Sequence, residues 1–196
     1  MSFYDKINIH KSKLGDKSMT DLEKAIEKLK NAILQLPEKK QKILAVWLNK
    51  WANIIKQEKT FEPHFLPYYK RGDIVYVDFG FNVGNELGGI HYAVVIEDNN
   101  NKNNGNVIVV PLTSLTKGKN IDDLPSTDVY LGENIIEWTG TGTIAKPNQI
   151  RTISKIRIVK PVRRDDRVIS LTGEQLQLID DKLDQIIKKN LTNTAE

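Results

Sequence analysis

The chain has 196 residues, 29 Lys and Arg against 25 Asp and Glu for a formal net charge of +4, and 39% hydrophobic residues. That suffices for one ordinary globular domain with an extension, and it excludes a disordered polyelectrolyte. With no cysteine, disulfide frameworks, thiolate metal sites, iron–sulfur clusters and thiol nucleophiles are excluded, and a reducing, cytoplasmic setting is expected.

The first residues scatter charge through a polar stretch with no apolar core, and no run approaches the roughly 18 apolar residues of a membrane span, so a soluble protein with no membrane partner is expected. Charge is uneven along the chain. Residues 1–70 carry 14 basic and 8 acidic residues, residues 71–160 carry 9 and 10, and residues 161–196 carry 6 and 7. The positive excess therefore lies in the first third.

Residues 1–19 are polar and read as a flexible leader. From Thr20, the Thr20–Glu23 spacing suits a capping box, and Leu22, Ala25, Ile26, Leu29, Ala32, Ile33 and Leu36 recur at helical intervals. Pro37 breaks this helix. A second stripe, Ile43, Leu44, Trp47, Leu48, Trp51, Ile54 and Ile55, completes a helical hairpin over 20–58, with both tryptophans assigned to its core or to its contact with the domain that follows. Residues 59–70, with two prolines among aromatics, form a connector.

The remainder, 71–196, reads as one mainly β domain. Runs 73–79, 91–96 and 106–112 are rich in β-branched and aromatic residues. The Asn-rich turn between the last two ends in the hairpin dipeptide Asn104-Gly105 and favours direct antiparallel pairing. Residues 114–142 are mainly loop with a strand near 128–131. Strand patterns resume at 143 and at 150–162. Thr172 and Gln175 then repeat the capping-box spacing ahead of a helical stripe, Leu176, Ile179, Leu183, Ile186 and Ile187, running to about Leu191.

Candidates for chemistry are few. The three histidines, His10, His64 and His91, show no metal-site spacing, so no metal and no cofactor is expected. The segment Gly80–Gly89 follows a strand but opens into another strand and lacks the Lys-Ser/Thr of a phosphate loop, so it reads as a mobile loop beside a site. Taken singly, Thr113 is an ordinary strand-terminal threonine and Arg151 a surface charge.

Arg71-Gly-Asp-Ile-Val-Tyr-Val-Asp78, Val83-Gly-Asn-Glu-Leu-Gly-Gly89, Ala93-Val-Val-Ile96, Val109-Val-Pro-Leu-Thr-Ser114 and Gln149-Ile-Arg-Thr-Ile-Ser-Lys155 together resemble, in order, the motifs of PemK/MazF toxins. The resemblance covers about residues 70–190 and leaves the helical extension unmatched. It implies an SH3-like small β-barrel with a C-terminal helix. It also implies a type II toxin–antitoxin toxin: a metal-independent endoribonuclease cutting single-stranded RNA at short sequences, commonly a homodimer, restrained by a cognate antitoxin.

One position departs from the family pattern, where Gly-Gly-x is typically followed by a catalytic arginine and proline and this chain has His91-Tyr92. Cleavage by a neighbouring 2′-hydroxyl needs a proton acceptor, a donor to the crowded phosphate and an acid for the leaving oxygen. Histidine serves as acid or base near neutral pH, whereas arginine stays charged. The resemblance therefore implies His91, Thr113 and Arg151 as catalytic residues, with Glu86, Ser114, Gln149 and Thr152 contacting RNA. A non-catalytic RNA- or protein-binding module on the same fold, or a gyrase-directed toxin of related barrel fold, is the alternative.

Overall fold

The computed structural model describes residues 17–136 and 142–188, with side chains from residue 20 onward. Residues 1–16 of the leader expected over 1–19, and the last residues of the terminal helix expected to about Leu191, lie outside the described residues. The chain separates into two compact units, one ending at Lys50 and the other beginning at Trp51.

The first unit is helical. Helix α1 spans Lys17–Leu34 and α2 spans Glu38–Gln57, crossing into the second unit. Helix α1 begins three residues before the expected cap, so Lys17 to Met19 are helical rather than part of a leader, and Thr20 sits inside the helix. The turn between the helices uses Pro37 as an acceptor: its carbonyl takes the amides of Lys40 and Gln41, and the Gln41 side chain returns a bond to Leu36 O at 2.7 Å. Leu44 is buried while Leu22, Ile26, Leu29 and Ile43 are exposed. The tryptophans do not behave as a pair of core residues: Trp47 is half-buried and Trp51 is 43% exposed.

The second unit is an eight-stranded antiparallel sheet backed by a helix. Its strands are β1 (Asp73–Asp78), β2 (Ile90–Val95), β3 (Asn106–Ser114), β4 (Val129–Gly132), β5 (Thr143–Ala145), β6 (Arg151–Ser154), β7 (Ile158–Lys160) and β8 (Ile169–Ser170). The hydrogen-bonded order is β4-β5-β3-β2-β1-β7, with β6 on β3 and β8 on β1. Helix α3 (Gly173–Lys188) follows, and its expected box is present: Gln175 N donates to Thr172 Oγ1 at 3.2 Å and Thr172 N to Gln175 Oε1 at 2.9 Å. The architecture is that of the expected mixed β domain with a C-terminal helix; among the described residues no hydrogen bonds join β4 to β7 to close a barrel.

Side chains alternate between two faces of this sheet, and both faces are apolar. One face contributes Ile74, Val94, Val110, Leu112, Val129 and Leu131, which pack with Ile179 and Leu183 of α3. The other contributes Val75, Val77, Phe79, Ala93, Val95, Val107, Val109, Ile153 and Ile158, closed over with Tyr69. Most of β1, β2 and β3 is thus buried from both sides, which explains why these strands read as near-continuous apolar runs. The Tyr69 hydroxyl reaches Pro161 O at 2.8 Å inside the second core, and burial together with the Asp166 charge pushes that phenol's pKa up.

Candidate active site

The site is built on the face that carries Val77 and Val109. Along β2, His91 is two residues before Ala93 and is paired with Val77, so its side chain belongs to this face. Along β3, Thr113 lies four residues beyond Val109 and shares its side. Strands β2 and β3 pair Tyr92 with Leu112. His91 and Thr113 are the residues just beyond that pair on the two strands, and both are half-buried. Arg151 pairs with Val109 and lies two residues before Ile153, on the same face again. Period-2 alternation therefore gathers imidazole, hydroxyl and guanidinium on one surface.

The loop between β1 and β2 is the second component. Glycine chemistry shapes its close: Gly89 adopts φ +82°, and a Cβ on Gly88 would approach Gly80 O to 2.9 Å. The glycines suggested a mobile loop, yet it is tethered at many points. Gly89 N donates to Gly80 O at 2.6 Å and Asn82 Nδ2 to Leu87 O at 2.7 Å. From the neighbouring segment, Gln149 Oε1 accepts the Leu87 amide at 3.2 Å, and Gln149 Nε2 reaches Asn85 O at 3.4 Å. Arg151 then donates to Gln149 Oε1 at 2.8 Å, to Gln149 O at 3.3 Å and to Leu87 O at 3.3 Å. Its guanidinium carbon also sits 5.2 Å from the centre of the Phe79 ring, a cation–π contact. Gln149 and Arg151 thus act together as a clamp on the loop.

His91 stands where this loop returns to the sheet. A Cβ placed on Gly89 would lie 3.9 Å from His91 Nε2, and the imidazole interacts with the Gly88 backbone. Burial lowers the His91 pKa below its ordinary value, and the Gly88 contact offsets only part of that shift. Burial thus favours the uncharged form of the ring.

The remaining sequence-derived residues divide. Gln149 joins the constellation. Glu86 lies on the exposed tip of the loop, where its amide donates to Val83 O at 3.2 Å. Ser114 pairs with Thr143 and Thr152 with Ile108, so both fall on the opposite face of the sheet from His91, Thr113 and Arg151. Two contributors went unnoticed in the sequence: Phe79, which seats the guanidinium, and Leu87, whose backbone receives and returns clamp bonds. Phe79 was accessible through its two-residue spacing from Val77 and Val75; the role of Leu87 is a backbone matter and leaves no side-chain signal.

Among the described residues no three His, Asp or Glu side chains gather into a metal-binding group. Nor is any described helix long and apolar enough to cross a membrane. What the face offers is an imidazole, a hydroxyl and a guanidinium beside a tethered loop, groups able to interact with a phosphate ester. Residues 70–187 match the PemK-like, MazF-like toxin family of type II toxin–antitoxin systems, and the chain belongs to that family.

Solved structures with a similar fold include MazF (form I) from Deinococcus radiodurans, at 20% identity and a TM-score of 0.46, covering 63% of this chain and 97% of that one. An endoribonuclease in complex with its cognate antitoxin from a mycobacterial species aligns at 16% identity and a TM-score of 0.39, over 61% and 92% of the two chains. MazE–MazF (form II) from Deinococcus radiodurans aligns at 18% identity and a TM-score of 0.40, over 62% and 95%. A search among curated proteins gives no match.

Proposed function

We propose that this protein is the toxin of a type II toxin–antitoxin pair and acts as a sequence-specific endoribonuclease on single-stranded RNA. Family membership supports the toxin assignment. The observation that carries the nuclease reading is the placement of His91 and Thr113 just beyond the last β2–β3 pair, on the face that also bears Arg151.

In this reading the 2′-hydroxyl of the nucleotide before the scissile bond gives its proton to the His91 imidazole as O2′ bonds to phosphorus. The phosphorus–O5′ bond breaks, O5′ takes a proton from water, and a 2′,3′-cyclic phosphate remains. Thr113 donates its hydroxyl hydrogen to a non-bridging oxygen. Arg151 spends three of its N–H groups on the clamp, and the two others face the growing negative charge. A base of this kind accounts for about 10²–10⁴-fold of rate. Glu86, Gln149, Ser114 and Thr152 are assigned to RNA contacts, the last two from the reverse side of the sheet and so at a distance from the cleavage point. A separate antitoxin chain and a second copy of this chain are the expected protein partners, and the cytoplasm the expected setting.

The direct test incubates purified wild type, His91→Ala and Thr113→Ala with a long single-stranded RNA in EDTA and maps the new ends. Cuts at a short recurring sequence, ending in cyclic or 3′-phosphate and lost in both variants, are expected. An inert wild type that still protects a defined RNA segment overturns cleavage and leaves the RNA-binding module; that second reading rests on His91 standing where the family pattern has arginine.

A further inference from the structure

The helical unit holds an apolar cleft that the nuclease reading does not use. It is about 200 Å³ in volume and is lined by Ile26, Leu29, Lys30, Ile33 and Leu34 of α1 and by Leu48 of α2. Ile26, Leu29 and Ile33 follow at intervals of three and four, so they form one continuous ridge on α1. Leu48 of α2 faces this ridge yet leaves much of it open: Ile26 is 56% and Leu29 46% exposed. Helices of this length owe most of their stability to packing of such a face.

Charge says what kind of surface completes it. Between residues 17 and 50 there are eight lysines and four acidic residues, with no arginine or histidine. Lys30 lies in the cleft wall itself, its stem along the apolar side and its ammonium at the rim, 3.6 Å from Glu27 in an exposed and therefore weak pair. A second copy of the same unit would bring the same lysine excess. Single-stranded RNA would answer the lysines but not the apolar walls. An amphipathic helix with carboxylates flanking its apolar stripe answers both, by the helix-in-groove mode.

We propose that the cleft between α1 and α2 is the docking site for an acidic amphipathic helix of another protein. That helix seats leucine-type side chains against Ile26, Leu29 and Leu48 and places its carboxylates beside the lysines. Three helices then share the apolar surface that two leave open. The proposal goes beyond the nuclease reading and does not depend on it.

The test uses the full chain and a fluorescein-labelled helical peptide of about 20 residues with leucine at the first and fourth heptad positions and glutamate and alanine elsewhere. A counterpart carries lysine in place of glutamate. Fluorescence anisotropy is expected to show saturable binding of the acidic peptide, at least tenfold weaker binding of the lysine peptide, and at least tenfold loss in Leu29→Glu. Ile26→Gln, a milder change at an exposed position, is expected to weaken binding several-fold, and Lys30→Glu to weaken it and flatten its salt dependence. Far-UV circular dichroism verifies that each variant keeps its helices. Binding of neither peptide, or equal binding of both, overturns the proposal. So does binding that appears only after residues 1–16 are removed, which would make the chain's own leader the occupant. A Leu29→Glu variant of lower oligomeric mass, with no peptide bound by wild type, would identify a second copy instead.

Discussion

The Arg151 guanidinium lies 5.2 Å from the centre of the Phe79 ring, although β6, which carries Arg151, does not pair with β1, which ends one residue before Phe79. Arg151 is in register with Val109 and Val109 with Val95, whereas Phe79 is two residues past Val77, whose partner His91 is four residues from Val95. On a flat sheet that six-residue offset alone would separate the two by about 20 Å. The sheet must therefore curl over the face that bears Val75, Val77 and Val109, and the cation–π contact closes the curl beside the loop. Arg151→Lys keeps the charge but loses the planar fork. We expect hydrogen exchange at the Leu87 amide to speed about tenfold, from one weakened hydrogen bond of about 1.4 kcal/mol. RNA cleavage should fall as well. Unchanged exchange at Leu87 would show that the clamp does not hold the loop.

His91 gives a pH signature with a definite sign. Burial lowers its folded-state pKa below the ordinary imidazole value, so below about pH 6.5 the unfolded chain binds more protons than the folded one. The contribution of the neutral buried ring is present above that pH and is lost as pH falls toward the folded-state value. Urea midpoints should drop on acidification from pH 7 to 5, and His91→Gln should flatten this slope. Parallel slopes in the two proteins would refute the burial account.

The cleavage rate should follow the same group. A base that must be neutral to accept a proton works down to its folded-state pKa, so activity should persist somewhat below pH 6.5 before declining. Thr113→Val keeps the side-chain shape without the hydroxyl and should lower cleavage about 10²-fold, as does loss of one transition-state donor. Thr113→Ser should restore much of it. Equal activity of the valine and serine variants would remove the hydroxyl from the mechanism.

Helix α3 is fixed by packing more than by charge. Ile179 is fully buried against the Ile74–Val94–Val110 face, and Ile179→Ala should cost about 2–5 kcal/mol in chemical denaturation. Next to it, Arg71 Nη2 reaches both Asp180 oxygens, at 2.5 and 2.6 Å, and Arg71 also donates to Ile96 O. This pair is partly exposed, at 28% and 40%, so Asp180→Asn should cost only about 1 kcal/mol. A larger loss for Asp180→Asn than for Ile179→Ala would reverse that ranking.

Much of the fold was legible because its signals are local. The strands at 73, 91 and 106, the direct β2–β3 pairing across the Asn-rich turn and the Thr172–Gln175 box all depend on residues close in sequence, and each is present. The motif order likewise led to the family that the match over residues 70–187 shows. What escaped was non-local. The seating of Arg151 on Phe79 requires curvature, which no spacing encodes. Ser114 and Thr152 sit beside Thr113 and Arg151 in sequence yet on the other side of the sheet, since neighbours in a strand point in opposite directions. The helical stripes correctly marked α1 and α2, but a stripe does not specify its partner, and Trp51 stayed exposed.

The two cores of one sheet also make the domain separable for an engineer. Val109 supports the face of Arg151 while Val110, next to it, supports α3. Positions 74, 94, 110 and 112 could be repacked together with Ile179 and Leu183 to harden the protein against heat, leaving every side chain beneath the proposed chemistry untouched. The reverse redesign is equally available, with α3 and its bed of valines and leucines kept as a chassis under a rebuilt face.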